Sequence, residues 1–235
     1  MGCSIKKEDR QMKTCIIACR TIEEELSCAM RESGVELPVF WLESGLHNVP
    51  KKLHKVVQET IEDAEEAGYT RLLLAMGFCG NSVENLELTS AELIMPRVDD
   101  CITLLLGSFR KRKQLESGSG TYFMTKGWLD GERNIWKEYC YAVEKYGKET
   151  GEEIFEMMFG NYSRIGILDA HACPMEPVKE ETERIANALG FTWEIFDASV
   201  DYLKELLTGP WDSRRFLTVK EGCKILLSDL TTMEE

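Results

Sequence analysis

Short apolar runs alternate with amphipathic stretches through the first hundred residues, and each pair predicts a strand followed by a helix. Thr14 to Arg20 (TCIIACR) is the first apolar run. The Thr21-Ile22-Glu23-Glu24 sequence behind it has the spacing of a capping box that opens a helix. Leu37 to Glu43 (LPVFWLE) is rich in β-formers, and Pro50, after the turn Ser44-Gly45-Leu46-His47-Asn48-Val49, suits the first turn of a helix reaching Ala67-Gly68. Arg71 to Phe78 is continuously apolar, the pattern of a strand buried on both faces, and it ends at Cys79-Gly80-Asn81-Ser82. Ala91 to Val98 predicts a fourth strand, with Pro96 limiting it to a sheet edge or a strand end. Asp99-Asp100 then caps a helix starting at Cys101. Alternation at this spacing predicts right-handed βαβ crossovers and a parallel sheet.

The rest of the chain repeats the theme. Ser117-Gly118-Ser119-Gly120 marks a loop, and Thr121 to Trp128 is a strand or an ordered loop over the sheet edge. Helical sequence runs from Asn134 to Phe159. Arg164 to Asp169 predicts a strand, Pro177 to Leu189 a helix, Phe191 to Phe196 a strand, Tyr202 to Leu207 a helix and Phe216 to Val219 a last short strand. No internal repeat is present. The pattern predicts an α/β protein of Rossmann-like units: two βα lobes, residues 1–130 and 131–235, joined through the long helix with a cleft between them. A single continuous sheet is the alternative.

Composition narrows the function classes. With 235 residues and 43% hydrophobic side chains, the chain can build one large core, or two packed halves, without disulfides. Its nine cysteines, with no export signal, point to a reducing compartment, by default the cytoplasm. No apolar run approaches the roughly 20 residues of a membrane span. The opening MGCSIKKEDRQMK has neither a signal peptide nor, with Lys6, a myristoylation pattern, and is expected to be a frayed lead-in. A net charge of −13 argues against nucleic acid. The basic run Arg110-Lys111-Arg112-Lys113 is expected to be the solvated end of a helix.

In open parallel sheets, ligands bind beyond the carboxyl ends of the strands. Reading only those positions gives Cys19 after the first strand, His47 after the second, Cys79 after the third, and Asp99, Asp100 and Cys101 after the fourth. Three thiolates and an imidazole suit zinc, and three thiolates suit an iron–sulfur cluster with one open position. With no C-x-x-C in the chain, such a site must be assembled by the fold. For Cys101 the helix start favours a thiolate and the two aspartates oppose it. The bland alternative is that these cysteines are small hydrophobes filling the core, as Cys3, Cys15, Cys28, Cys140 and Cys223 are expected to be. Glu24 and Glu25 open the first helix near Cys19, as candidate outer-layer partners of a metal or simply as helix-start acids.

In the second half, Asp169-Ala170-His171-Ala172-Cys173-Pro174 superficially resembles the D-x-H-x-x-G loop of corrinoid-binding domains. Pro174 replaces the glycine, and no Gly-Gly follows Ser228-Asp229-Leu230, so direct corrinoid binding is not expected. His171 and Cys173 stay as candidates facing the cleft for a metal or a small-molecule substrate. Phosphate-loop, dinucleotide and nucleophile-elbow motifs are missing. Tyr122, Trp128, Trp211 and Asp212 lie in irregular stretches suited to a lid.

The phrases IIACRTIEEEL, WLESGLHNVPKKL, LLAMGFCGNSVENL, PRVDDCITLLLGS and TYFMTKGW, in this order, resemble a family of prokaryotic proteins with a domain-of-unknown-function label, DUF1638, over nearly the whole chain. F-C-G-N and D-D-C-I-x-L-L-L-G-S are the most specific parts. The resemblance implies a role in anaerobic one-carbon metabolism, because members are often encoded beside corrinoid-dependent methyltransferase systems. It also implies a corrinoid or methyltransferase protein as partner. The family pattern covers Cys19, Glu25, His47, Pro50, Cys79, Gly80, Asp99, Asp100 and Cys101, and leaves out His171 and Cys173. Met76-Gly77-Phe78 departs from the Tyr-Gly-Leu of relatives, a change expected to alter packing more than ligation.

Overall fold

The structure is a computed structural model describing residues 12–116 and 120–230. The expected N-terminal lead-in as far as residue 11, Cys3, and the Ser117-Gly118-Ser119 part of the expected loop lie outside the described residues. The rest forms an α/β fold with two sheets. The larger contains β1 (Thr14–Cys19), β2 (Val39–Leu42), β3 (Arg71–Ala75), β4 (Glu92–Pro96) and β8 (Phe216–Val219), in the order β2-β1-β3-β4-β8. The smaller contains β5 (Thr121–Met124), β6 (Arg164–Asp169) and β7 (Thr192–Asp197), all parallel.

In the larger sheet β1 to β4 run parallel, as the apolar runs predict, but β8 returns antiparallel along β4, so the sheet is mixed. Pro96 is therefore not on the outer edge. It ends β4 opposite Phe216, where its missing N–H costs the ladder little. Sheet membership also cuts across a boundary at residue 130. β5 pairs in the smaller sheet, whereas β8 and the helix α9 (Asp201–Thr208) pack with the larger one.

The helices follow from local signals with two exceptions. α2 (Pro50–Glu66) starts on its proline and turns Leu53, Val57, Ile61 and Ala64 inward, the spacing of one helical face. α1 (Glu23–Ser33) ends at Gly34, whose φ of 64° is the left-handed conformation that glycine adopts without penalty. The expected capping box at its start does not form. Arg20–Ile22 makes a 3-10 turn, and the Thr21 hydroxyl donates to the Cys19 sulfur at 2.9 Å instead of accepting from the backbone. The expected long helix is in fact two, α6 (Ile135–Tyr146) and α7 (Lys148–Phe159). Gly147 separates them with φ 80°, and they fold back so closely that a Cβ on Gly151 would lie 2.7 Å from the Val143 backbone.

Of the short helices α3 (Cys101–Leu106), α4 (Phe109–Glu116) and α5 (Lys126–Asp130), α3 packs on β6, and α5 packs on β5 and on the Arg20–Ile22 turn; α8 (Glu176–Leu189) follows β6. One buried apolar cluster runs from Ile16, Ile17, Leu73 and Leu74 in the larger sheet through Leu104 to Phe123, Leu168 and Phe196 in the smaller. Each such fully buried side chain stabilises by roughly 1.5–3 kcal/mol, enough to hold the sheets in one body. A second cluster around Ile135, Phe155 and Ile185 lies on the far face of the smaller sheet. Among the described residues no helix is long and apolar enough to cross a membrane.

Candidate functional site

Four strand ends of the larger sheet open onto one cavity of about 330 Å³. Cys19, His47, Cys79, Asp99, Asp100 and Cys101 all line it, so the fold brings together the six positions chosen from the carboxyl-end rule. Beyond Ala75 the chain stays beside β4: Phe78 N–H donates to Val98 C=O at 2.9 Å, and Cys79 N–H to Asp99 C=O at 2.7 Å. Gly77 makes this approach feasible, because a Cβ there would lie 2.5 Å from the Asp100 nitrogen and Cα. Cys79 itself takes φ 44°, a left-handed conformation uncommon for a side-chain-bearing residue, which marks the turn as constrained. Asp100 caps α3 as expected, one carboxylate oxygen accepting from the N–H groups of Ile102 and Thr103 at 3.0 Å each.

The segment after β5 supplies part of the wall. Trp128 of α5 meets the His47 ring edge-on, with centroids 5.0 Å apart. All residues lining this cavity lie within positions 1–130. A second cavity, of about 340 Å³, shares His47, Asp100 and Trp128 with the first and adds Arg112, Tyr122 and Tyr162. Of the expected lid residues, Tyr122 and Trp128 are at these cavities. Trp211 is not: its indole N–H donates to Leu206 C=O at 2.9 Å and its ring lies against Arg71, at the start of β3.

Low polarity governs the chemistry of the thiols. Burial, assisted by the neighbouring Cys101, pushes the Cys19 thiol up to about 11 against the lowering effect of its Thr21 hydrogen bond. Cys101 donates to the Cys79 sulfur, and this, with burial and the Cys79 and Asp100 charges, holds its proton far above the ordinary thiol range. The expected conflict at Cys101 is thus decided against the thiolate. Burial also lowers His47, against Asp100, leaving a neutral imidazole at pH 7. Asp99 is raised, first by burial and then by Asp100, and its Oδ1 is buried without a hydrogen-bond partner.

Arg112 departs from the expectation of a solvated helix end. Its guanidinium is turned in from α4, donating to Asp99 at 3.0 Å, to the Thr103 hydroxyl at 3.1 Å, to Glu116 at 2.9 Å and to Asp100. Burial opposes its charge, but Asp100, Glu116 and Asp99 together raise its pKa. Replacing it leaves three carboxylates facing one another. Arg112→Met is expected to lose about 2 kcal/mol, below the full cost of breaking a buried pair because the groups are partly solvated. Arg112→Lys should recover part of this. Urea denaturation of both variants checks it, and equal stability of Arg112→Met and wild type would contradict this placement.

The other candidates lie elsewhere. Glu25 is 3% exposed and does not line the cavity; its Oε2 has no partner, and burial raises its carboxyl to about 7. His171 is exposed and fastened to its own loop, its N–H donating to Asp169 at 2.9 Å and its ring Nε2 standing 3.3 Å from Asp197. Its φ of 56° fits that tight turn. Cys173 is half-buried and does not line the thiol cavity; burial and then Glu25 raise its pKa. Met76 and Thr21 line the cavity without having been singled out as site residues. Neither has a motif; each could have been found only by reading every position next to the strand ends. Among the described residues no group of three or more His, Cys, Asp and Glu side chains stands at metal-holding spacing, so the thiols line the wall without converging on one point.

Fold and site together define a mixed α/β protein with a thiol-rich cavity beyond the strand ends, at the junction of two sheets. The chain belongs to the family described as "Protein of unknown function (DUF1638)", whose model matches residues 41–207. The match includes His47, Cys79, Asp99, Asp100 and Cys101 and leaves Cys19 and Glu25 outside it. No curated protein and no solved structure matches the chain.

Proposed function

We propose that the cavity is a soft-metal centre in which Cys19, Cys79, Cys101 and His47 hold one zinc ion. The observation that carries this reading is the delivery of three thiols and a neutral imidazole, from separate strand ends, to the wall of one cavity. Cys19, Cys79, Cys101 and His47 would hold the ion, a donor set that suits zinc. An iron–sulfur cluster would use the thiolates and leave His47 aside, which makes it the less economical choice. The unpartnered Asp99 Oδ1 beside the thiols is a buried acceptor awaiting a donor or a cation. Arg112 fixes Asp99 and Asp100 in place.

When bound, zinc would lower the pKa of a thiol or act as a Lewis acid on a small molecule. The adjoining cavity past Trp128, with Tyr122 and Tyr162, gives that molecule a place next to the centre. The activity would then be methyl or thiol transfer in anaerobic one-carbon metabolism. In a second reading the protein is a metal, cluster or corrinoid carrier for a methyltransferase. The net charge of −13 favours that reading through a partner's basic surface.

Elemental analysis of tag-free protein purified without oxygen tests the centre. The expected result is about one zinc per chain, lost in Cys79→Ser and in Cys101→Ser and kept in a variant of the exposed Cys140. Iron with sulfide would replace zinc by a cluster. No metal in wild type, with the serine variants folded, would leave the cysteines as core filler.

A further inference from the structure

We infer that Cys79 and Cys101 are a redox modification site, a dithiol that low-molecular-weight disulfides convert to an intramolecular disulfide. The effect on the ion rests on the metal reading; the disulfide itself does not.

The backbone places the pair. Adjacent parallel strands lie about 4.7–4.9 Å apart, and a disulfide joins Cα atoms about 4.4–6.8 Å apart. Cys79 follows β3 and Cys101 follows β4, strands that are neighbours in the sheet. The two backbone hydrogen bonds past the strand ends, Phe78 to Val98 and Cys79 to Asp99, carry that neighbourhood up to the cysteines. Gly77 packs directly on Asp100, the residue before Cys101. The side chains of Cys79 and Cys101 then line the wall of the same cavity. Cys19, the third thiol of the cavity, follows β1, which β3 separates from β4, and its sulfur accepts from Thr21. The topology therefore selects the Cys79–Cys101 pair.

Cys79 is only partly buried and opens onto the cavity, whereas Cys101 is buried, which orders the steps. The Cys79 thiolate attacks one sulfur of an external disulfide RSSR. That S–S bond breaks, RS⁻ leaves as the first thiol, and Cys79 carries a mixed disulfide. Cys101 attacks the Cys79 sulfur, its proton passing to the departing RS⁻; the Cys79–Cys101 bond forms and the second thiol is released. Two electrons pass from the pair to RSSR, yielding two RSH. An ion held by these sulfurs would lose two thiolate ligands in the same reaction, so oxidation would empty the centre.

The test treats reduced, chelator-washed full-length protein with glutathione disulfide and maps non-reduced peptides by mass spectrometry. Expected is a cross-link between the Cys79 and Cys101 peptides, lighter by two hydrogens, formed equally in Cys19→Ser and reversed by reductant. Glutathione adducts alone, a cross-link through Cys19 instead, or unmodified thiols would overturn the inference. Metal content of the reduced, unwashed protein is measured in parallel. A cross-link in protein that never held metal removes only the metal reading, and metal without a cross-link removes only this inference.

Discussion

Gly77→Ala is expected to lose about 3 kcal/mol of stability, the upper part of the range for overpacking, and to lower the thermal midpoint by roughly 10 °C. The added methyl would sit 2.5 Å from the Asp100 nitrogen and Cα, so the obstacle is backbone and not a side chain able to swing away. Relief requires the loops after β3 and β4 to part, which strains the Cys79 N–H bond to Asp99 and shifts the Asp100 cap of α3. The same substitution should therefore raise the accessibility of Cys101, now buried, to a thiol reagent. Thermal denaturation and timed thiol labelling measure the two effects. Wild-type values for both would mean that the close approach is not what positions the cysteines.

Glu25 should dominate the pH dependence of stability near neutrality. Its carboxyl is almost wholly enclosed, with burial raising it from 4.5 to about 7, Glu24 adding to the rise and Lys126 opposing it. In the unfolded chain the group loses its proton near 4.5; in the folded chain it keeps it until about 7. Between these values the folded state binds more protons, so stability falls as pH rises. The contribution is fully present below pH 4.5 and lost by the time pH passes 7. A rise of this size corresponds to at most roughly 3 kcal/mol. Glu25→Gln keeps the shape and removes the charge. It should flatten the stability profile between pH 5 and 7 and exceed wild type at pH 8 by an amount on the order of 2 kcal/mol. Denaturant titrations at several pH values check this, and parallel profiles for the two proteins would contradict it.

The parts of this architecture legible in the sequence are those fixed by local pattern. Arg164 to Asp169 is read to the residue because an apolar run is bounded on both sides by polar ones. Pro50 marks a helix start for a reason carried within the turn itself. Arg71 to Phe78 is read too long, because the apolar run continues past Ala75 while the chain leaves the strand to pass Asp100 at Gly77. Gly147 hides in a helical pattern, since a glycine costs a helix only about 1 kcal/mol and periodicity runs straight across it. Its φ of 80° ends α6 where the pattern would carry the helix on.

What the sequence does not hold locally is the long-range pairing. Nothing around Phe216 to Val219 distinguishes a strand returning antiparallel on β4 from one more parallel unit, because that choice is made by distant partners. The candidate site follows the same division. Cys19, His47, Cys79 and Cys101 are legible because a parallel sheet brings its strand ends to one edge. Arg112 is not, because its role depends on Asp99 and Asp100 lying across a helix turn that the basic run does not advertise. His171 sits at a strand end too, but of the smaller sheet, and its own loop turns it to solvent.

The central claim is that the three thiols and His47 close on a single ion. Its most direct measurement is a cobalt(II) titration of reduced wild-type protein, followed by absorption. Sulfur ligation gives intense thiolate-to-cobalt charge-transfer bands. Four-coordinate geometry gives strong visible bands, and zinc should displace both. Saturation is expected at about one cobalt per chain, with the charge-transfer intensity reduced in Cys19→Ser, Cys79→Ser and Cys101→Ser, and the visible bands altered in His47→Ala. Weak, six-coordinate spectra without charge transfer, in a protein whose thiols stay freely titratable, would contradict it.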